Sequence, residues 1–373
     1  MNRNRLFLLI ALTLVVAVLV FAIGRSPDPG DRDMPERLLP GLAGVVNELD
    51  SLDLVAPGGD VAVSLRRDDD RWRVAQRDGY EAEFAQVLDL LRALAEAGVD
   101  EPKTSRPSWY PELGVQDVSQ PDATGRRIDF PGRDIASVII GQTDPSGEGS
   151  YARRADQEQS WLLDRVVEVP VDPVSWLEPG IMDIPSEEIS EVIVRHPDAE
   201  IVRLRIADDD SRSAVLMDVP EGREAGPAFK RNALANGLRG LNLEDVRRFE
   251  PPAPEEAVRV LFRTVDGLNF VADVFEHDEA YWMHFTVSAE NAPVAAQSDS
   301  PEGADGAPSG ENPGPGLEGE EGARLADAVA VDARLSPWLF QIRERRFNDL
   351  TPRMEDLLAP VADAAADEST VIP

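Results

Sequence analysis

The chain has 373 residues, no cysteine, and 70 acidic against 37 basic side chains, which gives a formal net charge of −33. A surface this acidic repels nucleic acid, and a chain without cysteine forms neither a disulfide nor a lipid-modified cysteine. The composition therefore excludes a nucleic-acid partner, and the length is enough for about two domains. We interpret the acidity as a solvated exterior, with a cation-binding surface as the alternative.

Residues 6–23 contain no charge, glycine or proline, and Thr13 is their sole polar side chain. As a helix they would reach roughly 27 Å, close to the ~30 Å hydrocarbon core of a bilayer. Arg3 and Arg5 precede them, which favours a cytoplasmic amino terminus. We therefore predict a single-pass inner-membrane protein, bound to the membrane through residues 6–23, with the bulk of the chain periplasmic or extracytoplasmic. A cleaved signal peptide ending near residues 22–24 is the alternative.

The first part of the exported chain predicts a hairpin and a helix. Residues 26–40 are rich in proline, glycine and aspartate and predict an extended linker. Alternating apolar positions at 61–65 and 72–75, with a polar turn between them, predict a β-hairpin. Residues 83–97 carry apolar side chains at helical spacing, which predicts an amphipathic helix that covers one face of the sheet.

An aromatic turn at residues 109–115 comes next, and a closing turn or short helix is predicted around Trp176-Leu177. The loop at 141–149 contains widely spaced glycines, but no Gly-Lys-Ser/Thr follows and a strand comes next, so we predict no phosphate binding there. The strands predicted in this half are at residues 126–130, 137–141, 150–154 and 161–164.

The second half repeats the order of strands, helix and strands. Its predicted helix covers residues 229–243, and Trp338-Leu339 is the counterpart of Trp176-Leu177. The strands predicted in this half are at residues 189–195, 201–206, 213–218, 245–249, 257–263, 270–275 and 281–287. We therefore predict two related α+β units.

Residues 291–322 contain seven glycines, five prolines, seven acidic side chains and no basic one. So little apolar side chain cannot offset the ordering cost of about 1–2 kcal/mol per residue, which predicts a disordered acidic insertion. Its interpretation is a tolerated surface insertion, with a docking tail for a basic partner as the alternative. Arg343, Arg345 and Arg346 follow as the densest basic cluster and are expected on a solvated helix face.

No catalytic or metal signature occurs in the sequence. The three histidines are His196, His277 and His284, and none stands in a His-x-x-x-His or His-Glu-x-x-His spacing. His284 lies in an apolar strand and is expected to be packed. Because a Gly-x-Ser-x-Gly turn and cysteine are both absent, we predict no enzyme activity and no catalytic, cofactor-binding or metal-binding residue.

The six tryptophans are expected mostly in the core, and sugar stacking is their alternative role. They are Trp72, Trp109, Trp161, Trp176, Trp282 and Trp338.

The predicted fold class is α+β, an N-terminal transmembrane helix followed by two related units of antiparallel sheet, each with a covering helix. The predicted segments are an anchor at 1–25, a linker at 26–40, a first unit at 41–185, a second unit at 186–358 with the acidic insertion at 291–322, and a flexible tail at 359–373.

Several weak motifs occur in a characteristic order along the chain. They are the Trp72 hairpin, the 109–115 turn with Leu113-Gly114, Ile139-Ile140-Gly141, Tyr151-Ala152-Arg153 and Trp176-Leu177. In this order the chain resembles a family of bacterial membrane-anchored envelope proteins, known as a domain of unknown function and associated with gliding-motility-type ABC transporters. That family has no assigned catalytic residues.

The resemblance implies a non-enzymatic accessory or binding component of an ABC-type transport complex, with a permease or another envelope protein as partner. A cell-wall or carbohydrate-binding protein and a structural spacer are the alternatives. The first would use exposed tryptophans and carboxylates and predicts a cleft where two acidic residues and a tryptophan meet. The second predicts neither a cleft nor a stable partner.

Overall fold

The computed structural model of the protein describes residues 36–207, 213–289 and 320–360. The predicted membrane segment at residues 6–23 lies outside these described residues. So do residues 291–319 of the acidic insertion and residues 361–373 of the tail.

The described residues are mostly strands joined by short connections. The strands are β1 (Ser51–Val55), β2 (Val61–Asp68), β3 (Arg71–Val74), β4 (Tyr80–Glu81), β5 (Val99–Pro102), β6 (Arg126–Asp129), β7 (Val138–Thr143), β8 (Ser150–Arg154), β9 (Ser160–Leu163), β10 (Gly180–Met182), β11 (Ile189–Arg195), β12 (Ile201–Ile206), β13 (Ala214–Leu216), β14 (Leu241–Asn242), β15 (Asp245–Arg248), β16 (Val258–Thr264), β17 (Leu268–His277), β18 (Ala280–Ala289) and β19 (Trp338–Ile342).

The helices are fewer, and several are a single turn long. They are α1 (Leu42–Val45), α2 (Phe84–Glu96), α3 (Tyr110–Leu113), α4 (Ala228–Ala235), α5 (Glu320–Leu335), α6 (Glu344–Leu350) and α7 (Met354–Leu357). Short 3₁₀ turns lie at Val46–Glu48, Ala75–Arg77, Pro107–Trp109, Pro173–Trp176 and Ser186–Glu188.

The chain divides into two compact units. The first contains the described residues up to Ala62 together with Leu88–Val171, and the second contains Val63–Val87 together with the described residues from Asp172 onward. The hairpin of β2 and β3 therefore belongs with the second half of the chain. The segment boundaries given above stay predictions.

The first unit contains an antiparallel sheet with the strand order β1-β6-β7-β8-β9-β5. The predicted strands at 126–130, 137–141, 150–154 and 161–164 are confirmed as β6 to β9. Val55, Val118 and Ile139 are fully buried and form one apolar cluster of this unit. These strands therefore contribute to the buried core of the unit.

The aromatic turn around α3 packs directly on the backbone of β7. A Cβ atom at Gly141 would lie 2.2 Å from the carbonyl oxygen of Leu113, and one at Gly125 would lie 2.1 Å from that of Gly114. A side chain at either position would therefore force the neighbouring backbone to shift. Gly114 has φ +69°, a left-handed conformation that ends α3.

The side chain of Arg153 on β8 packs against this turn and is buried, with 6% of its surface exposed. Its Nε donates to the Val115 carbonyl at 2.9 Å and its Nη1 to the Gln157 carbonyl at 2.9 Å. The guanidinium lies 4.8 Å from the centre of the Tyr110 ring, a cation–π contact. Motifs that are separate in the sequence thus form one buried structural cluster.

The second unit contains an antiparallel sheet with the strand order β13-β12-β11-β16-β17-β18-β19-β15. Strands β17 and β18 pair over their whole length, and Asp278 and Glu279 form the turn between them with φ of 51° and 60°. Helix α4 packs against β13 and α5 against β18. Strands β10 and β14 form a separate two-stranded ladder, and β4 pairs with β3 and β3 with β2.

Two local predictions for the second half are wrong. The helix expected at 229–243 is shorter than predicted, since α4 begins at Ala228 and ends at Ala235, with Asn236 as its C-cap. Trp338 begins a strand, whereas Trp176 ends a 3₁₀ turn, so the two tryptophan segments are not structural counterparts.

Within residues 36–207, 213–289 and 320–360 no helix is both long and apolar enough to cross a bilayer. The longest there is α5, with 16 residues. The predicted fold class, with a transmembrane helix ahead of two α+β units, is corrected for the described residues, which do not include residues 6–23. The structure supports mostly antiparallel sheets accompanied by short helices.

Candidate functional site

A cavity of about 460 Å³ opens in the second unit, a volume typical of small-molecule sites. Four arginines, two glutamates and three aromatic rings line it, and we call it the arginine pocket. Its lining residues are Arg71, Arg73, Tyr80, Glu81, Glu178, Gly180, Arg248, Ala330, Ala333, Arg334, Leu335, Pro337, Trp338 and Phe340.

Strand alternation supplies the first two arginines. On β3 Trp72 and Val74 are buried, so Arg71 and Arg73 share the opposite face and point into the pocket. Strand β4 pairs with β3 and brings Tyr80 into the same lining. A four-residue strand thus places two positive charges on one face.

The aromatic part of the lining is tightly packed. Trp338 and Phe340 lie two residues apart on β19 and are 7% and 1% exposed. The Tyr80 ring meets the Trp338 ring edge to face, with 4.9 Å between ring centres and an interplanar angle of 89°. The Phe340 ring lies 6.2 Å from the Tyr80 ring in a similar geometry. Such pairs give a rigid apolar surface.

Arg248 stands directly opposite Trp338 in the ladder between β15 and β19. Its guanidinium lies 4.1 Å from the centre of the Trp338 ring, which is a close cation–π contact. The backbone N–H of Arg248 donates to Asp78 Oδ2 at 3.2 Å. The stacked guanidinium makes no hydrogen bond or ion pair with any described residue, so its five N–H groups are available to a ligand.

The other arginines are only partly satisfied by the protein. Arg71 Nη1 lies 3.4 Å from Glu81 Oε2, a long contact. Arg73 Nη1 donates to the Gly79 carbonyl at 3.2 Å, while its buried Nε makes no hydrogen bond with the described residues. Asp68 Oδ2 lies 3.5 Å from that Nε, an ion pair without hydrogen-bond geometry, and its side chain is 66% exposed.

Helix α5 contributes the fourth arginine from its last turn. Arg334 Nη1 donates to the Ile181 carbonyl at 3.0 Å, which fixes one edge of the guanidinium. Four arginines against Glu81 and Glu178 leave the lining with an excess of two positive charges. In a chain of net charge −33 this pocket is a local positive site.

Burial raises the pKa of the Tyr80 hydroxyl, and the charges of Glu178 and Glu81 act in the same direction, while the nearby Arg334 opposes the rise. The phenol therefore stays protonated at neutral pH and can donate a hydrogen bond. Arginine also keeps its proton in proteins. These groups suit the binding of an anion and not the transfer of a proton.

The histidines do not join this pocket. His196 is buried, with its Nε2 3.2 Å from the Pro352 carbonyl. His277 is exposed and lies 3.2 Å from Asp278. The packing expected for His284 is confirmed, since it is 6% exposed and stacks on Phe249 at 3.5 Å between ring centres. No cluster of histidine and carboxylate side chains that could hold a metal occurs among the described residues.

In the loop at 141–149 the carboxylate of Asp144 occupies the backbone N–H groups. The carboxylate of Asp144 accepts hydrogen bonds from the backbone N–H groups of Ser146, Glu148 and Gly149 and from the Ser146 hydroxyl. These bonds, chiefly those from Ser146 and Gly149, lower the pKa of Asp144 to about 2. The N–H groups that a phosphate would need are therefore already in use.

The arginine cluster expected on a helix face is mixed in character. Arg343 Nε lies 2.6 Å from Glu244, and Arg345 has a side chain that is 93% exposed. Arg346 donates to the carbonyls of Asn236 and Arg239, and burial lowers its pKa. The solvated face predicted from the sequence fits Arg345 and does not fit Arg346.

Four of the six tryptophans are buried, which confirms the expected core role for most of them. They are Trp72, Trp176, Trp282 and Trp338, whereas Trp109 is 52% exposed. The pocket arginines and Tyr80 were not predicted from the sequence. One signal was present in the sequence, since Arg71 and Arg73 alternate with apolar residues in a chain short of basic side chains.

Fold and site together define a two-unit protein of antiparallel sheet with a positively charged pocket lined by aromatic rings. The family model described as Domain of unknown function (DUF4340) matches residues 72–259, half of the chain, and the chain belongs to this family. The matched segment includes Arg73, Tyr80, Glu81, Glu178 and Arg248 of the pocket lining. No curated protein and no solved structure matches the chain significantly.

Proposed function

We propose that the protein is a non-enzymatic binding component of an ABC-type transport complex on the extracytoplasmic side, and that the arginine pocket is its ligand site. The observation that carries the proposal is a single cavity of about 460 Å³ in which available guanidinium groups meet a rigid aromatic surface. Such a lining supports recognition of a ligand more than chemistry on it.

The transport partner is supported by the ordered motifs that the chain shares with envelope proteins associated with ABC transporters. Membership of the family of unknown function is compatible with this role and does not decide it. The partner is expected to be a permease with its ATPase, because a binding component acts by presenting a ligand to the translocating subunits.

The test is a crosslinked, detergent-solubilised pull-down of the full chain from its own host, with copurifying proteins identified by mass spectrometry. The proposal expects a permease and an ATPase at near-stoichiometric yield. A matched pull-down with an unrelated exported bait defines the background. Recovery of wall fragments alone, or of nothing above that background, would contradict the transport role.

A carbohydrate-binding role is the second candidate, and one observation favours it. Glu81, Glu178 and Trp338 line the same cavity, which is the combination of two carboxylates and a tryptophan expected of a glycan site. However, the face of Trp338 is covered by the Arg248 guanidinium. A sugar could stack there only after that guanidinium moved.

The substitution Arg248→Gln distinguishes the two candidate functions, because it should change the binding affinity in opposite directions. It removes a positive charge and uncovers the Trp338 ring. An anion should then bind more weakly, whereas a stacked neutral glycan should bind more tightly. Quenching of tryptophan fluorescence by cellobiose in the variant but not in the parent chain would favour the glycan role.

A further inference from the structure

We propose that the arginine pocket binds a soluble phosphate monoester whose ester group is small and apolar. The inference rests on the proposed function in that it names the ligand class of the same site. Nothing in the family description assigns such a ligand.

The charge of the lining matches this class of ligand. Four arginines and two glutamates leave the lining with an excess of two positive charges, which the exposed Asp68 beside Arg73 offsets in part, and a phosphate monoester carries about −1.5 to −2 at pH 7. A monocarboxylate carries one negative charge and would leave part of the positive field uncompensated. The chain as a whole is strongly acidic, so this field is local to the pocket.

The donors of the pocket match the three terminal oxygens of a phosphate. Arg248 has no acceptor among the described residues, and the buried Nε of Arg73 lacks a hydrogen bond there. Arg334 uses one Nη1 bond to a carbonyl and keeps its other N–H groups. The planar guanidinium fork suits bidentate bonds to phosphate, and such charge-assisted bonds are among the strongest in proteins.

An unsatisfied buried donor costs free energy unless a ligand or water supplies the acceptor. The Nε of Arg73 is such a donor at the wall of the cavity. The neutral hydroxyl of Tyr80 is a further donor in the lining. Both observations point to a bound acceptor and are independent of the charge count.

The apolar part of the lining accounts for the apolar ester group. Ala330, Ala333 and Leu335 on α5, with Pro337 after it, face the cavity beside Phe340. Inorganic phosphate would leave this surface in contact with water. An attached apolar group would bury it, at a gain of about 25 cal/mol per Å² of apolar area.

The source of the phosphate is expected to be a soluble molecule and not a lipid headgroup. The acidic surface of the chain, with a net charge of −33, disfavours the approach of an anionic lipid headgroup to the pocket. The small volume of the cavity also suits a compact ester better than a headgroup held at a membrane surface.

The test is isothermal titration calorimetry of the full chain with phenyl phosphate, inorganic phosphate, benzoate and phenol. We expect phenyl phosphate to bind more tightly than each of the other three. Arg248→Gln should weaken its binding roughly tenfold or more, the effect of losing one charged hydrogen-bond partner. Arg71→Gln, at a position that is 59% exposed, is the second variant and should act in the same direction.

The matched control is Arg345→Gln, which makes the same charge change at a side chain that is 93% exposed and outside the pocket. It should leave the affinity within about twofold. Equal loss in Arg345→Gln and Arg248→Gln would reduce the effect to net charge and overturn the proposal.

Three other results would also overturn it. They are absence of phenyl phosphate binding, benzoate binding as tight as phenyl phosphate binding, and displacement of phenyl phosphate by phosphatidylcholine vesicles that contain phosphatidic acid. A failed titration together with a successful pull-down of transporter subunits would remove this inference alone. Tight binding of phenyl phosphate together with a pull-down that recovers no transporter subunits would contradict the transport role and leave the ligand assignment standing.

Discussion

Replacing Arg153 by methionine should destabilise the first unit strongly. The variant keeps an unbranched apolar stem in a site that is 6% exposed, but it removes the guanidinium. The carbonyls of Val115 and Gln157 each lose a donor at 2.9 Å. Each bond to a charged group is worth about 1.5–3 kcal/mol, so we expect a total loss of about 3–5 kcal/mol.

Urea unfolding followed by far-UV circular dichroism measures this loss. At about 2 kcal/mol/M for the slope, the midpoint of the affected transition should fall by roughly 2 M. Hydrogen exchange over residues 107–155 assigns the effect to the first unit. The control Arg126→Met changes an exposed arginine on β6 and should shift the midpoint little. A loss below about 1 kcal/mol for Arg153→Met would refute this account of the buried cluster.

Three further predictions concern stability. Gly141→Ala should cost about 1–3 kcal/mol in urea unfolding, because the new Cβ would lie 2.2 Å from a carbonyl oxygen, whereas Gly44→Ala, with open space around it, should be neutral or stabilising. Burial lowers the pKa of His284, so below pH ~6.5 the unfolded chain binds a proton that the folded chain does not, and stability is lost from pH 7 to pH 5. His284→Gln should flatten that slope in pH-dependent melting, and an unchanged slope would count against it. Arg77 and Asp245 form two hydrogen bonds of 2.6 Å and 3.1 Å at half-buried positions. A double-mutant cycle with Arg77→Gln and Asp245→Asn should give a coupling free energy of about 1–3 kcal/mol. A coupling near zero would contradict the pairing.

Helices and strands were predictable where the spacing of apolar side chains depends on one helix or strand alone. The hairpin at 61–75 and the helix at 83–97 are confirmed as β2, β3 and α2, since alternation and helical spacing depend on one buried face. The helix expected at 229–243 is too long because Leu241, which continues its apolar spacing, lies on β14 and pairs with β10.

The pocket was not predictable for a related reason. The sequence shows that Arg71 and Arg73 lie on the same face of β3. It does not show that Arg248 and Arg334 line the same pocket. Arg248 reaches the pocket because β15 pairs with β19 out of chain order, which places it opposite Trp338. The pattern of apolar side chains predicts which residues share one face of a strand, but it does not predict which other strands and helices that face contacts.

The most direct test of the central claim is a crystal structure of the full chain soaked with phenyl phosphate at the saturating concentration found by calorimetry. We expect the phosphate group to contact at least two of the pocket guanidiniums, among them that of Arg248, and the ring to contact the apolar part of the lining that includes Phe340. An empty arginine pocket with the ligand bound elsewhere on the chain would contradict it.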